Sequence, residues 1–248
     1  MAKIGIIGGS GLDNPDLLKD IEEITLETPY GHPSSILKQG KLSDCEVVLL
    51  ARHGVGHTIP PTQVNYRANI SSLKEVGCTH ILVTTAVGSL KEDIKPGDFV
   101  ILDQFIDFSR HRKNTFYESF ELGSLNHVSP ADPFDSILRQ CFIDTAQELN
   151  FVYHPTGTVV TIEGPRFSTR AESHMFRAWG ADVINMTIAT EAALAREADI
   201  PYSAVAMCTD YDCWKEGEAD VDWQAILQVF HKNANRVTKL LLNTVPKI

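Results

Sequence analysis

Two aspartates, Asp210 and Asp212, follow the apolar run Ser203 to Met207 inside the stretch Cys208-Thr-Asp-Tyr-Asp-Cys-Trp214. Residues two apart in an extended segment project to the same side. Carboxylates sharing a partly apolar cleft raise one another's pKa, so that one stays protonated as a general acid while the other accepts hydrogen bonds. An acidic surface loop or half of a metal site would use the same residues. The apolar approach and the flanking Trp214 oppose the wet loop, and the lack of conspicuous His or Cys ligands nearby opposes the metal. Cys208 and Cys213, with four residues between them and no companion cluster, read as packing or surface thiols rather than metal ligands or a redox pair.

Three further strand ends carry groups suited to an oxyanion. Gly8-Gly9-Ser10-Gly11 follows Ile4 to Ile7, a turn where bare backbone N–H groups and a hydroxyl can approach an anion closely. Ala51-Arg52-His53-Gly54-Val55-Gly56-His57-Thr58 places a planar, permanently charged donor and two histidines beyond a buried strand, a local cationic patch in an acidic chain. Thr84-Thr85-Ala86-Val87-Gly88-Ser89 offers hydroxyls and backbone N–H groups. The glycine-rich turn also invites a dinucleotide reading, but Asn14 stands where that fingerprint needs Gly or Ala, and Glu23 and Glu27 end no clear second strand. Three such ends together favour a phosphate pocket.

Short apolar runs alternating with helical segments must position these groups. Lys3 to Ile7, Glu46 to Ala51, His80 to Thr85, Phe99 to Phe105, Thr158 to Ile162, Asp182 to Met186 and Ser203 to Met207 read as strands, several too continuously apolar to have a wet face. Gln63 to Val76 reads as a helix ending at Gly77, and Pro133 to Leu149 as one with Phe134, Ile137, Cys141, Thr145 and Leu149 on one face. Thr190 to Ala198 and Asp222 to Asn243 complete the predicted helices. The alternation predicts an α/β fold with a largely parallel central sheet wrapped by helices, with sites at the carboxyl ends of strands.

At 248 residues, with no repeat, linker or low-complexity stretch, residues 1–248 read as a single domain. A net charge of -10 argues against nucleic acid or an anionic membrane as partner. Five cysteines without disulfide spacing, and no signal-like segment before the first strand, fit a reducing cytoplasm.

The ordered set Gly5 to Gly11, Ala51 to Gly54, His57 to Pro61, Val64 to Asn69, Thr85 to Leu90, Pro96 to Asp98 and Glu163 to Phe167 resembles the trimeric purine nucleoside phosphorylases. Asn185-Met-Thr187 followed by Thr209 to Trp214 is similar to the branch of that family that acts on 5'-methylthioadenosine. The resemblance implies a mixed, partly barrel-like sheet flanked by helices and a homotrimer with the active site at the subunit interface. Phosphate would be held by Ser10, Arg52, His53, Thr85, Ala86 and Thr187. Met186 would line the ribose, and Phe167 the purine plane. Asp210 would donate or share a proton at N7, and Asp212 would accept from the 6-amino group. The 6-oxopurine enzymes place an asparagine at the first of these positions, so two aspartates favour adenine. The 5' pocket would fall to His127, given across the interface, with Trp223, Ile226 and Leu227. The chain ends at Ile248, without the C-terminal extension that closes this pocket in longer relatives, which leaves selectivity for methylthio over hydroxyl open.

The implied chemistry is phosphorolysis, with phosphate as co-substrate and neither metal nor organic cofactor required. The competing readings are a phosphorylase of adenosine, 6-oxopurine nucleosides or methylthioinosine, a hydrolase using water, and a nonenzymatic nucleotide-binding module.

Overall fold

A computed structural model describes residues 2–8, 18–123, 125–217 and 223–248. Among them run eleven strands: β1 (Lys3–Gly8), β2 (Lys19–Ile24), β3 (Leu37–Leu42), β4 (Cys45–Ala51), β5 (His80–Ser89), β6 (Phe99–Ile101), β7 (Gln104–Phe108), β8 (Tyr153–His154), β9 (Thr158–Ile162), β10 (Val183–Asn185) and β11 (Tyr202–Asp210). The helices are α1 (Tyr66–Glu75), α2 (Ser136–Glu148), α3 (Arg170–Ala178), α4 (Ile188–Glu197) and α5 (Trp223–Thr244).

The strands form one mixed sheet in the order β2-β3-β4-β1-β5-β10-β9-β7, with β11 on β5, β6 on β11 and β8 on β6. The ten-residue β5 is the hub. It pairs in parallel with β1 and β11 and, at Gly88 and Ser89, antiparallel with β10. Only Leu102 and Asp103 separate β6 on one branch from β7 on the other, so the two branches curl toward each other as the partly barrel-like expectation required.

The apolar runs become strands buried on both faces because helices cover both sides. Tyr66, Ile70 and Leu73 of α1 and Ile188, Ala192 and Leu194 of α4 pack with Ile7, Val48 and Val83 on one side. Leu138 and Phe142 of α2 and Val237, Leu240 and Leu241 of α5 pack with Ile4, Val205 and Met207 on the other. Phe176 of α3 joins Leu90, Val160, Ile184 and Trp214 in a third cluster.

Helix starts are fixed by side chains. The Asn65 amide oxygen accepts from the Ala68 N–H and caps α1, so this helix opens later than Gln63, after a 3-10 turn at Pro61–Gln63. Asp135 accepts from the N–H groups of Ile137 and Leu138, so α2 opens at Ser136 and turns Ile137 out, 71% exposed. The buried face of α2 is Leu138, Cys141, Phe142, Thr145 and Ala146, so Cys141 and Thr145 of the expected stripe are buried, as is Phe134 before the helix, while Leu138 takes the place of Ile137.

Four elements escaped the sequence reading. β2 is nearly all exposed and charged, a sheet edge without an apolar signal, while β3 and the two-residue β8 are short or polar. α3 carries a legible sign, the capping box Thr169-x-x-Glu172. The run Phe99 to Phe105 is not one strand, since it breaks at Leu102-Asp103, where the Asp103 carboxylate accepts from the Gly157 N–H.

Candidate active site

The predicted groups gather around the carboxyl half of β5. On one side Arg52, at the end of β4, is 2% exposed and forms a fork with Glu191 of α4, which is fully buried: Nε to Oε1 at 2.5 Å and Nη2 to Oε2 at 3.1 Å. Arg52 Nη1 donates to the Thr84 carbonyl at 3.2 Å, and the Tyr202 hydroxyl donates to Glu191 Oε2 at 3.0 Å. The expected cationic patch is therefore corrected to a charge-compensated pair, because a guanidinium this deep requires a carboxylate beside it. His53 adds no charge either. Burial, reinforced by the Arg52 charge, pushes its imidazole pKa down to about 3. The ring nitrogen Nδ1 lies 2.9 Å from the Ile59 carbonyl, which makes Nδ1 the protonated nitrogen of the neutral ring and Nε2 an acceptor.

Thr85 and Thr187 are tied together through Asn185. Asn185 Nδ2 donates to Thr85 Oγ1 at 3.2 Å, and its Oδ1 accepts from Thr161 Oγ1 at 2.9 Å and from the Thr187 N–H at 3.4 Å. Thr187 is the N-cap of α4 but makes no side-chain capping bond, so its hydroxyl and the helix N-terminus stand together, an arrangement favourable to an anion.

On the other side Asp210 ends β11 opposite Gly88, after a register shift between Cys208 and Asp210. A methyl group added at Gly88 would come 2.9 Å from Asp210 Oδ1 and 3.3 Å from Asp212 Cβ, so the bare glycine allows both aspartates to pack on β5. Thr209 Oγ1 lies 2.8 Å from Asp210 Oδ2. The extended reading of the aspartate pair is corrected here. β11 stops at Asp210, Asp212 takes a left-handed backbone with φ of 50°, and its N–H donates back to Asp210 Oδ1 at 2.7 Å. Burial holds both carboxyls above the usual aspartate range; for Asp210 the charge of Asp212 adds only a lesser push.

The Asp212 turn is anchored on both flanks. Cys213 Sγ donates to the Ser168 carbonyl at 3.3 Å, which brings the half-buried Phe167 segment beside the aspartates. The Trp214 Nε1–H donates to the Ser89 carbonyl at 2.8 Å, and the Arg177 guanidinium stacks 3.4 Å over the Trp214 ring. The Met186 carbonyl accepts from Arg112 Nη1 at 2.7 Å, and Arg112 also bonds the Glu163 carboxylate and the Tyr66 hydroxyl. The bare Gly164, with φ of 66°, leaves room for the Met186 sulfur.

The structure thus groups Arg52, His53, Thr85, Ala86 and Thr187 near the middle of β5 and Asp210, Asp212 and the Phe167 segment near its carboxyl end at Gly88, with Met186 directly after β10. Ser10 and the side chains of Trp223, Ile226 and Leu227 lie outside the described residues. His127 is not brought to this site within the chain. It is exposed, in a segment with Phe120, Leu122, Leu125 and Val128, and its ring meets Phe120. Among the described residues no three His, Cys, Asp or Glu side chains converge as metal ligands would.

The description Phosphorylase superfamily matches residues 3–246 of the chain. The chain belongs to this superfamily. The S-methyl-5'-thioadenosine phosphorylase of Danio rerio is 55% identical over 99% of this chain and 89% of its own length, and that of Drosophila melanogaster 50% identical over 99% and 86%. The solved methylthioadenosine phosphorylase of Schistosoma mansoni in complex with adenine superposes with a TM-score of 0.94 at 45% identity, covering 99% of this chain and 91% of that one. A point mutant of the Schistosoma enzyme, in complex with methylthioadenosine, gives a TM-score of 0.93 at 44% identity over the same shares.

Within this superfamily fold, three side chains at the site went unread in the sequence. Glu191 is a lone acid in the apolar run Ile188 to Ala195, and an uncompensated charge in a buried helix is itself a signal that a cation sits opposite. Arg112 and Arg177 carry no local pattern; their partners come from distant segments.

Proposed function

We propose that this chain cleaves the C1'–N9 bond of 5'-methylthioadenosine with inorganic phosphate, giving adenine and 5-methylthioribose 1-phosphate. The observation that carries the reading is the pair of carboxyls, Asp210 and Asp212, held above their ordinary pKa by burial against Gly88 of β5, three residues along that strand from Thr85, which Asn185 ties to Thr187 and which follows the Thr84 carbonyl bonded by Arg52. Thr85 and Gly88 are roughly 10 Å apart along β5, at about 3.3 Å per residue, a span suited to phosphate and a nucleoside side by side. Relatives named for this activity over nearly their full length support the same assignment.

Purine is a poor anionic leaving group, so the bond breaks with an oxocarbenium-like ribose. A phosphate oxygen bonds to C1', and the C1'–N9 electron pair goes to the purine. The Asp210 proton goes to N7. The proton that hydrogen phosphate loses on becoming an ester restores Asp210 through solvent. Asp212 accepts from the 6-amino group, and Phe167 and Met186 line the purine and ribose. Phosphate, held by Ser10, Arg52, His53, Thr85, Ala86 and Thr187, is oriented toward C1'. No metal or organic cofactor takes part in these steps.

The active assembly is a homotrimer whose neighbouring subunit supplies His127 to the 5' pocket. Its support is the exposed segment with Phe120 at 44%, Leu125 at 70% and Val128 at 43%, a cluster of apolar side chains that a second copy would cover. A cytoplasmic location fits the five free thiols and an acidic chain in which no described helix is long and apolar enough to cross a membrane.

The deciding experiment follows adenine release with and without phosphate from 5'-methylthioadenosine, adenosine and methylthioinosine. Release that needs phosphate and prefers the first substrate is expected. Release at the same rate without phosphate would make the enzyme a hydrolase, and preference for methylthioinosine would overturn the roles of both aspartates.

A further inference from the structure

We propose that Glu191 is a positioning residue that cancels the charge of Arg52, so that bound phosphate keeps its own charge for the cation forming at C1'. The inference rests on the phosphorolysis reading above. Both oxygens of this fully buried carboxylate are used, Oε1 by Arg52 Nε and Oε2 by Arg52 Nη2 and the Tyr202 hydroxyl. Arg52 spends three of its five N–H donors on Glu191 and the Thr84 carbonyl, leaving two for a ligand. The second arginine at the site, Arg112, is likewise paired, with Glu163, and His53 is neutral. The hydrogen-bond donors of an arginine are kept and its net charge is removed.

The consequence follows from how charge moves. Before reaction the phosphate end holds a dianion beside a neutral ribose. As the C1'–N9 bond breaks, a positive charge grows on the ribose against that dianion, so phosphate and sugar together become less negative. An uncompensated cation behind phosphate would therefore stabilise the bound ground state more than the transition state, which tightens phosphate binding and slows turnover. With Glu191 in place, phosphate is held by dipoles and hydrogen bonds, and its negative charge remains available to the reacting carbon.

The test is the steady-state kinetics of Glu191→Gln with 5'-methylthioadenosine and varied phosphate. The expected result is a split: KM for phosphate falls by about tenfold while kcat falls by about tenfold or more, so that kcat/KM for phosphate changes little. Glu191→Asp, which keeps the charge, should restore both toward the parent values. A merely structural role predicts the opposite for the amide, a raised KM together with a lowered kcat, and that result overturns the proposal. Should Glu191→Gln not fold, Arg52→Gln is compared with the neutral double variant Arg52→Gln/Glu191→Gln. Charge cancellation predicts that the double binds phosphate about tenfold more tightly than the single, because the single leaves a lone carboxylate behind the anion; equal KM values overturn it. If the parent enzyme releases adenine without phosphate, the functional reading fails; if it needs phosphate but shows no split, only the role of Glu191 fails.

Discussion

The two ends of the site along the carboxyl half of β5, the phosphate end at Thr84 and Thr85 and the base end at Gly88, treat buried charge in opposite ways. At the phosphate end Arg52 and Glu191 are both almost wholly buried and cancel each other. At the base end Asp212 is buried and Asp210 half-buried, no cation among the described residues pairs with either, and their environment favours the protonated form. A compensated pair keeps a fixed geometry and offers no net charge. An uncompensated, desolvated acid holds its proton to higher pH than an exposed aspartate does. Binding an anion calls for the first, and protonating a leaving group calls for the second.

The sharpest way to break this contrast is to remove the proton. Asp210→Asn should lower kcat for 5'-methylthioadenosine by about 100- to 10,000-fold, the range for loss of a general acid. The kcat/KM of the parent should fall as pH rises through the raised pKa of Asp210, since only the protonated carboxyl donates, and the variant should lack that alkaline limb. His53 supplies no competing limb near neutrality, because its pKa is already pushed down to about 3. An alkaline limb that survives in Asp210→Asn would assign the acid elsewhere.

Next in size is the compensated pair. Arg52→Met leaves the Glu191 carboxylate buried without its cation, which costs about 3–5 kcal/mol of folding stability by urea denaturation. A loss below about 1 kcal/mol, the range of an exposed ion pair, would show that the pair is not the desolvated unit described above. Gly88→Ala should act more mildly and at the other end. Its methyl group would meet Asp210 Oδ1 at 2.9 Å and displace the acid, lowering kcat about tenfold while the fold persists. An unchanged kcat would mean that the Asp210 position relative to β5 is not critical.

The two ends were also unequally legible in the sequence. Arg52, Thr85 and the aspartates stand at the ends of apolar runs, where parallel strands deliver side chains to a common rim, so periodicity located them and the superfamily motifs gave them roles. What periodicity could not supply was the partner of each group. Glu191 lies 139 residues from Arg52, and Asn185 lies 100 residues from Thr85, so the neutral character of the phosphate end exists only after folding. The geometry of the aspartate pair was misread for a local reason. The pleat rule applies while a strand continues, but β11 ends at Asp210 and the chain turns through the left-handed Asp212. The branched sheet around β5 was likewise beyond a strand-by-strand reading, since a barrel-like curl depends on which strands pair.

The smallest effect separates the ends most cleanly, because it concerns stability rather than rate. Asp212 has its folded-state pKa raised above the ordinary 3.8 by burial, so the folded protein holds this proton more tightly than the unfolded chain does. Its contribution to stability is fully present below pH 3.8 and is lost as pH rises through the folded value. Above the folded value the ionised carboxylate therefore destabilises the fold. Asp212→Asn keeps the shape and removes the titration, so the variant should match the parent near pH 3.5 and unfold at higher urea than the parent at pH 8. Glu191→Gln, by contrast, should be less stable than the parent at pH 8, because its loss leaves the buried charge of Arg52 without its partner. A parent and an Asp212→Asn variant that unfold in parallel across this range would show that the Asp212 carboxyl is not strained by its burial, and the difference between the two ends would then reduce to Asp210 alone.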